Sequence, residues 1–424
     1  MPSSEAPKGV HVQEPTPSQP ADEFPEGGYG WVCVICIFFI NAHTWGINSA
    51  FGVILSFYLS HDVFPGTPAL SYALISGLSI SCALLITPLV ILLTPTLTPR
   101  FFILLGILLE TASMIGASFA TASWQLFLGQ GICFGFGMGS LFISTVGIPN
   151  QWYKKKRGIA NGIVAAGSGT GGLVYSLATN KIIQQLGFRW AFRILGVISF
   201  TVNLICGMLV RERVPPSTMK KKKKSALFNP AARLLTNPSF LLYLAWGFFS
   251  ILGYIALLFS LASYATASGM SSNTGSLASA LLNLGQALGR PLVGALSDRF
   301  GRVEIASLAS AFCGLLCMLF WPFASDRGSL FGFSILAGLG AGTIWAAAAA
   351  IAAELVGLDD VPGALVVFFL VLVAPGTVAE VIALQMRDPG SVVGVYFPVQ
   401  MFTGAMYLAA AGALGVVFLF SSHA

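Results

Sequence analysis

Long apolar runs separated by short polar breaks fill the chain from residue 31 onward. A run of about 20 apolar residues is long enough to cross a bilayer as a helix. Twelve such runs can be placed, and the pattern therefore predicts an all-α polytopic membrane protein with twelve transmembrane helices. The runs lie near 31–58, 71–93, 101–120, 124–148, 158–180, 191–210, 240–265, 273–296, 304–323, 329–352, 363–385 and 391–420.

Two polar segments interrupt this pattern and divide the chain. Residues 1–24 are polar and rich in Pro, Ser and Glu, which predicts a disordered cytosolic N-terminal tail. Residues 211–239 contain the run Lys220 to Lys224 and separate the sixth apolar run from the seventh. We therefore expect two six-helix pseudo-repeats, 25–210 and 240–424, joined by a basic cytosolic linker. Such an arrangement favours a solute site between the halves near the midplane.

Composition and charge agree with this interpretation. The chain is 55% hydrophobic and 9% charged, whereas soluble proteins carry about 25% charged residues. With both termini in the cytosol, sixteen basic residues lie in inside segments and four in outside loops. This positive-inside bias predicts cytosolic termini, and the plasma membrane is the default location. The net charge of +6 follows the topology and does not predict binding to nucleic acid.

Glycines recur at short spacing in the fourth and tenth runs. The fourth run contains Gly129, Gly131, Gly135, Gly137 and Gly139, and its counterpart contains Gly338, Gly340 and Gly342. Small residues at such spacing let helices approach closely. The repetition also supports a chain built from two related halves.

Arg290 lies inside the eighth apolar run and is followed by Pro291. An arginine at membrane depth is costly and by default marks the pathway of a solute or a proton. Its guanidinium stays charged and offers a planar fork that matches a carboxylate. The alternative is that Arg290 extends to the membrane interface or pairs with a helix C-terminus.

Residues 294–302 read Gly-Ala-Leu-Ser-Asp-Arg-Phe-Gly-Arg. The segment resembles the G-x-x-x-D-R-x-G-R loop of the major facilitator superfamily. In that family the loop lies on the cytosolic face and holds neighbouring helices in one state of the transport cycle. The resemblance implies a major facilitator fold with a cytosolic gate at Asp298, Arg299 and Arg302. The matching turn of the first half, 94–100, has no acidic residue.

Two further segments precede the first and fifth runs. They read Pro-Glu-Gly-Gly-Tyr-Gly-Trp at 25–31 and Gln-Trp-Tyr-Lys-Lys-Lys-Arg at 151–157. Alone, each is typical of an interfacial aromatic anchor or a basic cluster. Together they resemble the signatures of the monocarboxylate transporter family, most closely its fungal branch. The resemblance implies alternating-access transport of a small organic anion, and it places Arg290 where that family is proposed to hold the substrate carboxylate.

The sequence departs from the animal members of that family at two positions. Gln286 stands where they carry an aspartate thought to take the coupling proton, and residues 47–50 lack their lysine. Glutamine does not titrate, so proton coupling needs another group or does not occur. The candidates are Glu110, Glu380 and His43. The alternative for such buried carboxyl groups is a neutral, hydrogen-bonded structural role.

Several polar residues within the apolar runs are candidates to face a cavity. The predicted substrate-binding set is Arg290, Gln286, Asn283, Asn48, Asn41 and Tyr254. The alternative for the neutral members is that they only bond neighbouring helices. Aromatic residues such as Trp345 more often pack in the core or face lipid.

These observations favour secondary active or facilitative transport of a small organic anion, a monocarboxylate, across the bilayer. The alternatives are export of a fungal secondary metabolite or a neutral, vitamin-like solute, and a non-transporting sensor. Such sensors have long soluble tails, whereas this sequence ends at Ala424, just after the last run. No phosphate-binding G-x-x-x-x-G-K-[ST] motif or metal-binding cluster occurs, so we expect no enzyme activity, metal or cofactor.

Overall fold

The computed structural model describes residues 26–61, 63–94, 96–153, 156–213, 234–357, 360–388, 390–391 and 394–422. All regular structure in these ranges is helical. The predicted N-terminal tail, most of the basic linker, and Lys154 and Lys155 lie outside the described residues.

Within the described ranges, twelve long helical segments follow one another. They are α1 (Tyr29–His61), α2 (Ala69–Leu93), α3 (Pro99–Ser118), α4 (Ser123–Trp152), α5 (Arg157–Leu186), α6 (Phe188–Leu209), α7 (Pro238–Ala267), α8 (Ser272–Phe300), α9 (Arg302–Phe323), α10 (Arg327–Val356), α11 (Gly363–Gln385) and α12 (Phe397–Phe420). We refer to α1–α6 as the first half and α7–α12 as the second half. The predicted all-helical fold is confirmed, and the helices lie at the twelve predicted positions.

Ten of the described helices are long and apolar enough to cross a membrane, and α5 and α8 are the other two. They have 30 and 29 residues, so both are long enough to span a bilayer. Glycine, serine, asparagine and charged residues replace apolar ones along them. These two least apolar helices, α5 and α8, make the most extensive contact between the halves.

Helix α5 lies between α1 and α8, with small residues on both faces. A methyl group on Gly167 or Gly171 would overlap backbone carbonyls of α1. On the other face, a methyl group on Gly169 would lie 2.6 Å from the Ala287 nitrogen of α8. The backbones of three helices therefore touch along α5, and no side chain fits between them at these positions.

The close approaches predicted from the glycine spacing are confirmed. A methyl group on Gly135 or Gly139 of α4 would overlap backbone carbonyls of α2. In the second half, Gly338 of α10 faces the backbone of α8 in the same way. The same two helices, α2 and α8, also contact the opposite half.

Several helix pairs in the described part of the chain join the halves. Besides α5 and α8, α2 meets α11, where Ser81 Oγ donates to the Val373 carbonyl at 2.9 Å. Helix α1 meets α7, and the rings of Phe51 and Phe259 lie 6.0 Å apart. We call the end of the bundle that carries Arg211, Arg299 and Arg302 the basic end. The end where α5 finishes and α8 begins is the opposite end.

Candidate functional site

Arg290 lies at the contact between α5 and α8 and is only 4% exposed. Its Nη1 donates to the carbonyl oxygen of Ala165 at 2.9 Å and to the hydroxyl of Ser168, both in α5. Its Nη2 donates to Gln286 Oε1 at 2.7 Å, one turn earlier in α8. The guanidinium therefore bridges the two halves through neutral oxygen atoms.

A chain of neutral polar groups extends from the guanidinium along α8. Gln286 Oε1 also accepts from the Tyr254 hydroxyl of α7 at 3.1 Å. Gln286 Nε2 donates to Asn283 Oδ1 at 3.4 Å. The structure thus brings together four residues of the predicted binding set, namely Arg290, Gln286, Asn283 and Tyr254.

Helix α10 is interrupted at Gly342, beside the guanidinium. A methyl group on Gly342 would lie 2.5 Å from Arg290 Nε. That Nε is buried and has no hydrogen-bond acceptor among the described residues. No described carboxylate neutralises the guanidinium either, since its acceptors are a carbonyl, a hydroxyl and an amide. A buried cation with a spare N–H donor is suited to binding an anion.

The group around Arg290 is closed off from solvent. Asn283 and Gln286 are both 0% exposed. Cross-half contacts lie on both sides of it, towards the basic end and towards the opposite end. The guanidinium is therefore buried between the halves in this conformation.

Asn48 and Asn41 bond elsewhere within the first half. Asn48 Nδ2 donates to Ser79 Oγ at 2.7 Å, beside an internal cavity of about 20 Å³. Asn41 Nδ2 donates to the Val164 carbonyl at 3.0 Å and so holds α1 on α5. Neither residue bonds to the Arg290 group, and their assignment to the binding set stays a prediction.

Glu110 is buried in α3 and is paired with Asn203 of α6. Asn203 Nδ2 donates to Glu110 Oε2 at 3.1 Å. Glu110 Oε1 and Asn203 Oδ1 are buried and have no hydrogen-bond partner among the described residues. One proton on Oε1, donated to Asn203 Oδ1, would satisfy both atoms. The contacts therefore favour a neutral carboxyl group that forms a two-bond pair with the amide.

We expect Glu110→Gln to preserve this pair, because a glutamine amide both accepts from Asn203 Nδ2 and donates to Asn203 Oδ1. Glu110→Leu leaves the buried Asn203 amide unpaired, which costs about 1–3 kcal/mol. Thermal unfolding of the purified protein in detergent checks this. The midpoint should stay unchanged in the glutamine variant and fall in the leucine variant, whereas equal falls would contradict the pairing.

The other two candidates for proton coupling also lie away from Arg290. Glu380 of α11 is 0% exposed and accepts from Ser260 Oγ of α7, at 3.3 Å on Oε1 and 3.2 Å on Oε2. His43 is half-buried in α1, where its Nδ1 donates to the Phe39 carbonyl at 2.8 Å. The ring of His43 lies 5.7 Å from that of Tyr175 in α5. All three candidates are bonded within their own half.

Asp298 lies at the basic end, where α8 meets the start of α5. Its carboxylate sits directly against Gly158, so that a methyl group on Gly158 would overlap it. The N-terminus of a helix carries a partial positive charge that attracts a carboxylate. Asp298 therefore forms a contact between a charge and a helix dipole, and this contact crosses the halves. The Glu26 carboxylate binds the same helix start, where its Oε2 accepts from the backbone nitrogen of Lys156 at 3.2 Å.

The two arginines of the predicted gate have local contacts. The Arg299 guanidinium lies 5.2 Å from the ring centre of Phe300. Arg302 begins α9, directly after Gly301, whose φ of +100° makes the tight turn. Among the described contacts, Asp298 rather than either arginine reaches the other half.

We expect Asp298→Asn to loosen closure at the basic end, because the amide loses the attraction of the charge for the α5 dipole. That attraction is worth about 0.3–1 kcal/mol at an exposed position. In a Ser297→Cys background, alkylation of this buried position by a water-soluble maleimide should become about 2- to 5-fold faster. Asp326→Asn, which removes a capping carboxylate at the opposite end, is the control. Equal alkylation rates in the Asp298→Asn and Asp326→Asn proteins would contradict this role of Asp298.

The described residues of the two motifs, in 26–31 and 151–153, pack against each other at the basic end. The rings of Trp31 and Tyr153 lie 5.2 Å apart, and those of Tyr29 and Trp152 lie 6.1 Å apart. The Tyr29 hydroxyl donates to the Leu209 carbonyl at 2.7 Å. The motifs therefore form one cluster that ties together the starts of α1 and α5 and the end of α6.

A polar cluster at the opposite end was not predicted. Asn180 Nδ2 and Gln184 Nε2 of α5 donate to Asn273 Oδ1 of α8, at 2.8 Å and 3.0 Å. Ser272 Oγ donates to Asn180 Oδ1 at 3.1 Å. We call these four residues the opposite-end cluster. They join the halves there, as Asp298 does at the basic end.

Twelve long helices, two halves in contact and a buried cation between them define a polytopic membrane protein of the transporter class. The sequence matches the Major Facilitator Superfamily over residues 31–371 and 244–421. The chain belongs to that superfamily. It is a transporter and not an enzyme.

Its sequence is similar to those of fungal transporters. It is 34% identical to "Probable transporter MCH2" of Saccharomyces cerevisiae, over 91% of this chain and 81% of that protein. It is 27% identical to "Agnestins efflux protein AgnL12" of Paecilomyces divaricatus, over 88% of this chain and 82% of that protein. The fold resembles that of a bacterial homologue of the human lysosomal transporter Spinster, in an inward-facing and occupied conformation. The TM-score is 0.66, with 16% identity, over 93% of this chain and 98% of the other.

Proposed function

We propose that this protein transports an organic monocarboxylate by alternating access and that Arg290 binds the carboxylate. The observation that supports this proposal is a buried guanidinium that bridges the halves through neutral oxygens alone. Such a cation is costly to enclose without a counter-charge. A bound carboxylate supplies that charge, so the occluded state becomes more favourable when the site is loaded.

In this mechanism residues 25–210 and 240–424 rock against each other around the α5–α8 contact. Asp298 and the start of α5 separate when the basic end opens. The opposite-end cluster separates when the other end opens. Arg290, between these two contacts, faces each side in turn, as expected for a site near the midplane.

We further propose that both termini are cytosolic and that the protein acts in the plasma membrane. The described basic residues at the basic end, such as Arg211 and Arg302, support the cytosolic assignment through the positive-inside rule. The basic end then faces the cytosol, and Asp298 belongs to a cytosolic gate with Arg299 and Arg302.

Proton coupling is tested through the three titratable candidates. Gln286 bonds Arg290 directly and cannot titrate, so proton coupling needs another carrier or does not occur, and the candidates are Glu110, Glu380 and His43. None of these bonds to the Arg290 group among the described residues. We therefore expect the carboxylate to bind Arg290 with no titrating proton carrier among its immediate partners.

Export of a secondary metabolite is the second candidate function. It is favoured by the similarity to a protein named as an agnestins efflux protein. Such a cargo would use the same site and the same two gates. The direction of transport is then set by the gradients of cargo and coupling ion.

The test is uptake into proteoliposomes of labelled pyruvate, phenylacetate and a neutral solute, glucose. It compares wild type with Arg290→Gln, with and without an inward proton gradient. We expect uptake of at least one carboxylate and its loss in Arg290→Gln, with no uptake of glucose. If the flux follows the gradient, Glu110→Gln, Glu380→Gln and His43→Gln identify the carrier. Absence of carboxylate uptake by the wild type would contradict the proposal.

A further inference from the structure

Aromatic rings from both halves gather beside the Arg290 group. The ring centres of Trp45 in α1 and Trp345 in α10 lie 4.9 Å apart. Phe142 of α4 lies 5.4 Å from Trp45 and 6.5 Å from Trp345. We call Trp45, Phe142 and Trp345 the aromatic cluster. Because its members belong to α1, α4 and α10, the cluster spans the interface between the halves.

Tyr254 connects this cluster to the guanidinium. Its ring lies 6.3 Å from that of Trp345, and its hydroxyl donates to Gln286 Oε1. The same oxygen accepts from Arg290 Nη2 at 2.7 Å. Two side chains, Tyr254 and Gln286, therefore connect the aromatic cluster to the cation.

The cluster differs from the packed aromatic core of the protein. Trp246 and Trp321 are 0% exposed and contact rings of their own half. The three rings of the aromatic cluster are only half-buried, although they lie between the halves. Part of the surface of each ring is therefore not covered by neighbouring side chains.

Two N–H donors in this region have no acceptor among the described residues. Trp45 Nε1 is buried without a hydrogen-bond partner among the described residues, and so is Arg290 Nε. A buried tryptophan N–H usually finds an acceptor. Unused N–H donors and partly uncovered rings in one region are suited to binding a flat, oxygen-bearing molecule.

We infer that the transported anion carries an aromatic ring a short linker away from its carboxylate, as in phenylacetate. This inference rests on the proposed function. The carboxylate binds Arg290, and the ring stacks on the aromatic cluster. Trp345 and Trp45, from opposite halves, both contact the cargo, so an aromatic substrate completes the contact that closes the site.

The test compares phenylacetate with cyclohexylacetate, which has the same carboxylate and a ring of similar size without π electrons. Aromatic pairing beyond simple burial corresponds to about a 2- to 10-fold preference. Each acid is measured as a competitor of labelled phenylacetate uptake into proteoliposomes. The proteins are wild type, Trp345→Leu, Trp345→Phe and Trp124→Leu, the last at a position that is 60% exposed.

We expect wild type, Trp345→Phe and Trp124→Leu to prefer phenylacetate, and Trp345→Leu to treat the two acids alike. The phenylalanine variant keeps a ring face and shows that the position tolerates substitution. Equal inhibition by both acids in the wild type, or a preference unchanged in Trp345→Leu, would overturn the inference. In that case the loss of flux in Arg290→Gln still supports the anion site. If neither acid competes and no carboxylate moves, the proposed function fails as well.

Discussion

Replacing Gln286 with glutamate is expected to lower carboxylate flux at neutral pH by about two to three orders of magnitude. Glutamate has the shape of glutamine, so its carboxylate would accept from Arg290 Nη2 where Gln286 Oε1 now does, at 2.7 Å. The guanidinium then has a permanent counter-charge inside the protein. A substrate carboxylate has to displace it, and leaving a buried charge unpaired costs about 3–5 kcal/mol.

Initial rates of uptake into proteoliposomes at saturating and limiting carboxylate measure this effect. Gln385→Glu is the matched control, because Gln385 is exposed at the end of α11. It adds the same charge away from the site and should transport as the wild type does. Flux by the Gln286→Glu protein within a few fold of wild type would mean that the substrate does not use Arg290.

Gly169→Leu is expected to abolish transport by separating the halves. A methyl group at Gly169 would lie 2.6 Å from the Ala287 nitrogen and 2.8 Å from the Asn283 carbonyl oxygen. Both atoms belong to the backbone of α8 and cannot rotate away. The side chain therefore moves α8 as a whole, and Arg290 loses its contacts with α5. Gly116→Leu is the control, since nothing lies within 4 Å of a methyl group there.

Disulfide formation between Asn180→Cys and Asn273→Cys reports whether the halves still meet. The two asparagine side chains hydrogen bond at 2.8 Å in the opposite-end cluster. We expect the cross-link to form in the wild-type and Gly116→Leu backgrounds and to fail with Gly169→Leu. Size-exclusion chromatography shows whether the protein is folded. Normal transport by Gly169→Leu would contradict the packing of α5 on α8.

The helical fold and the positions of its helices along the chain were predictable from sequence, because hydropathy is a local property of each apolar run. Arg290 was predictable for a related reason: a cation inside an apolar run is visible without knowledge of its neighbours. The resemblance at 294–302 also directed attention to Asp298. The C-terminal end of α5 was less predictable, since polar residues such as Asn180, Lys181 and Gln184 interrupt the apolar run while the helix continues to Leu186.

The partners of these residues were not predictable, because they come from distant parts of the chain. Nothing near Arg290 in sequence indicates that its guanidinium donates to Ser168 or packs directly against Gly342. The opposite-end cluster consists of neutral residues at helix ends, where polar residues are ordinary. Trp345 was expected to pack or face lipid, and its contacts with Trp45 and Phe142 of the first half place it between the halves.

The most direct test of Arg290 as the anion site is equilibrium binding to the purified protein in detergent. Scintillation proximity measures the binding of labelled phenylacetate and pyruvate to wild type, Arg290→Gln and Arg327→Gln. Arg327 is exposed at the start of α10 and controls for the loss of a positive charge. We expect saturable binding of at least one acid by wild type and Arg327→Gln, and an affinity at least about 10-fold weaker in Arg290→Gln. Equal affinities in all three proteins would contradict the assignment of the carboxylate to Arg290.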